Sequence, residues 1–394
     1  MKKITIILIV LLTMAGIANA QWTEQTSGVG YDLTSVFFPS VNTGYVTGYV
    51  GTILKTTDGG TNWISQTSGI SDNLTSVFFL DANSGFVAGF SGIILKTTDG
   101  GTIWTPQTSG TTENLYSIFI IDATTGYVVG KNGTILKTTN GGTSWTAQTS
   151  GITDDLQSVY FVNANTGYAV GENGVILKTT DGGTNWTAQT SGTSNDLMSA
   201  YFNENNAGCA VGAGGKIFKT TVSNPGVWFE QTSGISDVLS SVHFVASTGY
   251  AVGGNGTILK TTDSGSNWSA QVSGITTNLR SVYFSDINTG YAVGEQGTII
   301  KTTNGGATGV VESLFESKLA VYPNPASDHV MINIYGEGID GRIYRIYDAT
   351  GVLVLSGNIM QNQHQINTSG FSDGLYFFEI TTGNRTENQK LIIQ

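Results

Sequence analysis

A period of 41 residues governs most of this chain. The triplet Lys-Thr-Thr begins at Lys55, Lys96, Lys137, Lys178, Lys219, Lys260 and Lys301, with every interval equal to 41. Seven tryptophans, Trp22, Trp63, Trp104, Trp145, Trp186, Trp228 and Trp268, keep the same beat at intervals of 41, 41, 41, 41, 42 and 40. A repeat near 40 residues that holds several short β patterns has the size of one propeller blade. Four strands are expected per unit, for example 74–79, 85–89, 93–98 and a fourth from Trp104 to Thr108, separated by Gly-rich or Asn/Asp-rich turns. Alternation fails at Val77, Phe78 and Phe79, as expected of an inner strand covered on both faces by neighbouring blades.

The phase of the two signatures carries a further expectation. Trp22 precedes the first triplet, and Gly309 stands where an eighth tryptophan would follow Lys301. One tryptophan strand is therefore spare at the start and one blade lacks its fourth strand at the end. Joining them gives an all-β, seven-bladed propeller over 21–306, with residues 21–27 closing the last blade and removing exposed strand edges. The 53 glycines, 5 prolines and 11% charged residues agree with many tight turns.

The stretch Thr56-Thr57-Asp58-Gly59-Gly60-Thr61-Asn62-Trp63 resembles the Asp-box, Ser/Thr-x-Asp-x-Gly-x-x-Trp. That motif is shared by sialidases, sortilin-type receptors, some xyloglucan hydrolases and the photosystem II assembly-factor propellers. Asp99, Asp181 and Asp263 match Asp58, while Asn140 and Asn304 replace the acid. The fifth copy departs, running from Thr220 through Pro225 to Trp228 with one residue extra. The acid or amide is expected to accept turn N–H bonds, the glycines to take positive φ and the tryptophan to pack beneath. The resemblance places this hairpin at the blade edge, so the motif marks architecture rather than catalysis.

Chemistry is harder to find. A sialidase needs an arginine cluster, but the chain has four arginines and only Arg280 lies in the propeller. A xyloglucan hydrolase needs a facing carboxylate pair, and no pair is singled out. His243, His329 and His364 lack metal-ligand spacing. His243 stands at a strand position filled elsewhere by Phe or Tyr, and Cys209 at one filled by Tyr or Phe; both read as packing residues. No catalytic residue, metal or cofactor is expected. The assembly factors' basic patch has no counterpart here, so that likeness transfers fold and not role.

Where architecture is constant, departures among the copies point to function. One varying set is Thr34, Thr75, Tyr116, Gln157, Met198, Ser240 and Arg280, near the start of the inner strand. A second lies in the turn between second and third strands, with Tyr49 and Phe90 in the first two copies. Strand direction puts both sets on the rim opposite the Asp-box turns. Tyr49, Phe90, Tyr116 and Arg280 are the candidate ligand contacts, for an extracellular glycan or a protein. The acids on that rim, Asp32, Asp72, Glu113, Asp154, Asp155, Asp196 and Asp237, are explained first as turn caps.

The two ends read differently. Lys2-Lys3, an apolar run and Ala18-Asn19-Ala20 make residues 1–20 a secretory signal peptide, too short for a membrane span. Its removal leaves 15 basic against 28 acidic residues, a net charge of −13 that disfavours nucleic acid. After a linker at 307–318, residues 319–394 carry Val321-Tyr-Pro-Asn-Pro-Ala326, Tyr347-Asp-Ala-Thr-Gly351, Gly374-Leu-Tyr376 and a closing Lys390-Leu-Ile-Ile-Gln394. This pattern resembles the type A C-terminal sorting domain of the Bacteroidota type IX secretion system. The resemblance implies a small β-sandwich, the translocon and its sorting machinery as partners, and a secreted or cell-surface location. An exported, non-catalytic binding or scaffold module, monomeric, is the reading; a carbohydrate-active enzyme is the alternative.

Overall fold

The structure, a computed structural model, describes residues 22–203, 207–306, 319–334, 342–359, 361, 363–382 and 385–394. The expected signal peptide and the 307–318 linker lie outside the described residues. The chain divides into two compact units, Met1–Gly309 and Val310–Gln394.

The first unit holds seven four-stranded antiparallel sheets and, among the described residues, no α-helix. Blade two shows the plan: Leu74–Phe79, Gly85–Gly89, Ile94–Thr97 and Thr105–Gln107 lie in chain order from inner to outer. The first two strands fall where the sequence reading put them, and the last two are shorter. In the last sheet the outer strand is Thr23–Gln25, with Thr23 opposite Lys301 and Gln25 opposite Ile299.

Each inner strand has two working faces. Leu74, Val77 and Phe79 are buried against the preceding blade's sheet, in one core with Tyr45 and Ile53, whereas Ser76 and Phe78 are only partly buried. The expectation that neighbouring blades cover both faces agrees with this packing: Phe78 points the other way, against the core of the third blade, and joins a circuit of rings. That circuit runs Phe37, Phe78, Phe119, Tyr160, Tyr201, His243, Tyr283 and back to Phe37, with adjacent centroids 4.7–5.3 Å apart. Apolar residues occupy both faces because one packs on the preceding blade and the other on the next, where its rings also form this collar.

The serines one step up the strand make a second circuit. Ser35 Oγ accepts the Val77 N–H at 3.2 Å, and the same bond recurs from Ser76, Ser117, Ser158, Ser199 and Ser241 to the next inner strand. Ser281 accepts from Val36 at 3.3 Å, so the circuit returns to the first blade. Packing returns there too, since Leu33, Val36 and Leu54 share a core with Tyr291, Val293 and Ile299. The glycine opening each second strand follows from this packing. A Cβ on Gly85 would stand 2.5 Å from the Phe79 ring, so no larger residue fits.

The second unit has a three-stranded sheet of Leu319–Tyr322, His329–Ile334 and Gln363–Asn367. A four-stranded sheet combines Leu353–Ile359, Arg342–Asp348, Gly374–Thr382 and Arg385–Ile393. Val330, Ile332 and Ile366 of the first sheet share one core with Ile346, Phe378, Ile380 and Leu391 of the second, which makes a β-sandwich.

Candidate functional site

The two rims of the propeller differ in kind. On one, the Asp-box turn repeats one bonding plan in six of the seven copies. Thr56 Oγ1 donates to Asp58 Oδ1 at 2.8 Å, the Asn62 N–H reaches the same oxygen at 2.9 Å, and Asn62 Nδ2 reaches Oδ2 at 2.7 Å. The bonds from Asn62 first, and then from Thr56, pull the Asp58 carboxyl down to about 2. Asp99, Asp181 and Asp263 are lowered by the same kind of bonds. Asn140 and Asn304 fill the role without charge, each taking the hydroxyl bond of its threonine. These side chains tie the turn to itself.

Beneath the turns lie the tryptophans. Trp22, Trp63, Trp104, Trp145 and Trp228 are buried, and Trp186 and Trp268 are partly buried against their blade cores. Most meet an inner-strand phenylalanine edge to face, as Trp104 meets Phe79 at 5.9 Å. Such a ring hides about 150–250 Å².

The sequence reading assigned no role to the recurring lysine; the structure gives it one. Lys55 Nζ donates to the Gly100 carbonyl of the next blade's Asp-box at 2.6 Å, and Tyr45 Oη donates to the same oxygen at 2.8 Å. The Tyr45 ring also stacks on Phe79 of that blade at 3.8 Å. Gly100 sits at φ +68, where a Cβ would stand 3.0 Å from the Ala82 carbonyl. Lys-Thr-Thr, the second-strand tyrosine and the box glycine are thus one clamp between successive blades. Its signal was present as an unvarying lysine beside a nearly unvarying tyrosine, but its acceptor lies 45 residues away and one sequence shows no pairing.

On the opposite rim the copies diverge, as expected. Phe90 and Tyr116 come together edge to face with centroids 6.3 Å apart. Tyr116 Oη donates to Asp155 Oδ2 at 3.1 Å, and burial, then the Asp155 charge, pushes its hydroxyl up to about 12. Tyr49 is not brought to them: it is half-buried, and its carbonyl accepts the Thr52 hydroxyl at 2.7 Å. Arg280 is exposed and paired with Glu295.

The acids of this rim are caps for the most part. Asp32, Asp155 and Asp196 each accept the N–H of a left-handed turn residue in the preceding blade, namely Gln296, Asn132 and Asn173. Asp72, Asp154 and Asp237 accept from Ser91, Asn173 and Asn255 side chains. Among the described residues no cluster of three His, Cys, Asp or Glu could hold a metal. His243 belongs to the collar between Tyr201 and Tyr283, and burial lowers its imidazole to about 4, so it stays neutral.

Four-stranded meanders joined inner strand to inner strand by serine bonds define a β-propeller, and a β-sandwich follows it in the chain. The propeller belongs to the family described as Photosynthesis system II assembly factor YCF48, whose model matches residues 14–109, 103–191 and 186–303. Residues 320–394 match the Secretion system C-terminal sorting domain, so the chain is an exported propeller protein. No curated protein matches the sequence. Among solved structures it is similar to YCF48 bound to D1 peptide, with TM-score 0.63 and 21% identity over 72% of this chain and 97% of that one. YCF48 from Cyanidioschyzon merolae gives 0.60 and 20% over 71% and 98%. The WD40 β-propeller domain of Doa1 gives 0.58 and 11% over 71% and 96%. At these identities the likeness is one of fold.

Proposed function

We propose that this protein is a non-catalytic binding module, led into export by residues 1–20 and delivered to the cell surface or medium through its sorting domain. Its ligand is a peptide segment of another extracellular protein, held on the rim opposite the Asp-boxes. The observation that carries this reading is the Phe90–Tyr116 pair, fixed by the Tyr116–Asp155 hydrogen bond on the rim where the copies differ. A rigid aromatic pair among polar turns offers apolar contact area with little side-chain entropy to lose. The fold neighbour solved with a bound peptide supports a peptide over a glycan. The type IX translocon and its sorting machinery are the export partners, and the sorting domain is removed or used for attachment after passage.

Peptide and glycan arrays, probed with the full chain alongside a polysaccharide hydrolysis assay, test this. Saturable peptide binding without turnover is expected, and the triple substitution Tyr49→Ser, Phe90→Ser, Tyr116→Ser should weaken it at least about tenfold. Product release would turn the reading to a carbohydrate-active enzyme, and unchanged affinity in the triple variant would remove this rim from consideration.

A further inference from the structure

The inter-blade clamp fails in an informative way at one junction. It is complete from blade one to two, three to four, six to seven and seven to one. There Tyr45, Tyr127, Tyr250 and Tyr291 and Lys55, Lys137, Lys260 and Lys301 converge on Gly100, Gly182, Gly305 and Gly59 at 2.6–2.8 Å. Between blades two and three Phe86 has no hydroxyl, and Lys96 alone reaches Gly141 at 2.6 Å. Between five and six Cys209 replaces the tyrosine, and Lys219 turns to Ser266 Oγ at 2.7 Å. Each of these arrangements satisfies its donors.

Between blades four and five the donors survive and the acceptor does not. The turn from Thr220 to Trp228 has an extra residue and places Val222 where the other boxes carry Asp or Asn. Its backbone runs into an outer strand, Asn224–Gln231, of eight residues where the other blades have three. Tyr168 is 1% exposed, and its hydroxyl is buried without a hydrogen-bond partner, the one tyrosine hydroxyl so placed among the described residues. Lys178 Nζ stands 5.4 Å over the Tyr168 ring, matching the 5.4–5.5 Å of the other lysines over theirs. The donor pair therefore keeps its geometry. Burial raises each of these tyrosine hydroxyls first; the box acid then adds to it at Tyr45 and Tyr127, whereas burial alone raises Tyr168 and Tyr250, whose next boxes carry Val222 and Asn304.

A buried, unpartnered hydroxyl and an ammonium beside its ring, with the box acid replaced by Val222, form a donor set for negative charge. We infer that Tyr168 and Lys178 bind a small anion, a halide or a carboxylate, at the position the glycine carbonyl takes in the complete clamps. The anion completes the junction that the rebuilt fifth turn leaves unfastened.

Crystals of the full chain soaked in sodium bromide should show an anomalous peak within about 3.5 Å of both Tyr168 Oη and Lys178 Nζ. A sodium acetate soak separates the two anion classes, since carboxylate density on the same atoms marks an oxyanion site. In solution, either salt should raise the Tm of the full chain more than it raises that of Tyr168→Phe or Lys178→Met, with general screening cancelling in the difference. A third variant, with Val222–Val227 replaced by Asp-Gly-Gly-Thr-Asn, restores the glycine carbonyl and should lose the salt response while staying folded. Absence of anion density in both soaks, or one salt response shared by all four proteins, overturns the inference.

Discussion

The two rims of the propeller follow opposite rules. On the Asp-box rim most copies make the same bonds: threonine to acid or amide, acid to turn, and at four junctions both lysine and tyrosine to the next glycine. On the other rim the same backbone turn recurs with a left-handed central residue, yet that residue is Val50, Ser91, Asn132, Asn173, Asn255 or Gln296. Both rims are built on equally regular strands, so regular backbone does not distinguish them. What does is the bonding plan. The box acids tie their own turns and the lysines reach one recurring glycine carbonyl. The acids of the other rim meet a different turn residue of the preceding blade at each junction.

That contrast can be broken or sharpened by measurement. The largest effect is expected from deleting residues 21–28, which removes the tryptophan and the outer strand of the seventh box. The loss should be most of the propeller's cooperative stability, read as a collapsed or absent thermal transition, and an unchanged Tm would contradict the pairing of Thr23 with Lys301.

A smaller loss is expected on the box rim alone. Lys55→Met should lower stability by about 1–2 kcal/mol in urea unfolding, since it removes a charge-assisted bond to a carbonyl. Lys178→Met, which removes no such bond, should fall within about 0.5 kcal/mol of the parent in anion-free buffer. Equal losses would show that the clamp is not what holds the blades.

The smallest effect is one of pH. Asp58 titrates lower folded than unfolded, so its contribution is present above about pH 4 and is lost as pH falls through its folded value near 2. Asp58→Asn, which copies the natural boxes at Asn140 and Asn304, should lose less stability between pH 4 and pH 2. Thermal unfolding across that range decides it, and parallel curves for the two proteins would show that the carboxylate adds nothing to its turn.

Much of the fold was legible because it is written seven times. The beat of the lysines and tryptophans, the strands at Leu74–Phe79 and Gly85–Gly89, and the spare leading strand are all local or periodic. The collar was missed because Val77, Phe78 and Phe79 look alike in sequence, and only the strand's position decides which of them faces the preceding blade and which the next blade and the ring circuit. Of the candidate site, Phe90 and Tyr116 meet and Tyr49 does not, because the second blade's turn packs on the third blade's inner strand, one junction away from Tyr49. The irregular fifth box was plain in the sequence. Its consequence for Tyr168 was not, because the residue that suffers lies in the preceding blade.

The leading strand has a bearing on timing. Thr23 Oγ1 donates to the Lys301 carbonyl, 278 positions along the chain. The last sheet is therefore left one strand short until almost the entire repeat array has been synthesised, and such long-range pairing forms late. The stitch that holds the last sheet to the start of the chain thus comes from its own first-made end and is tied only when the final blade arrives.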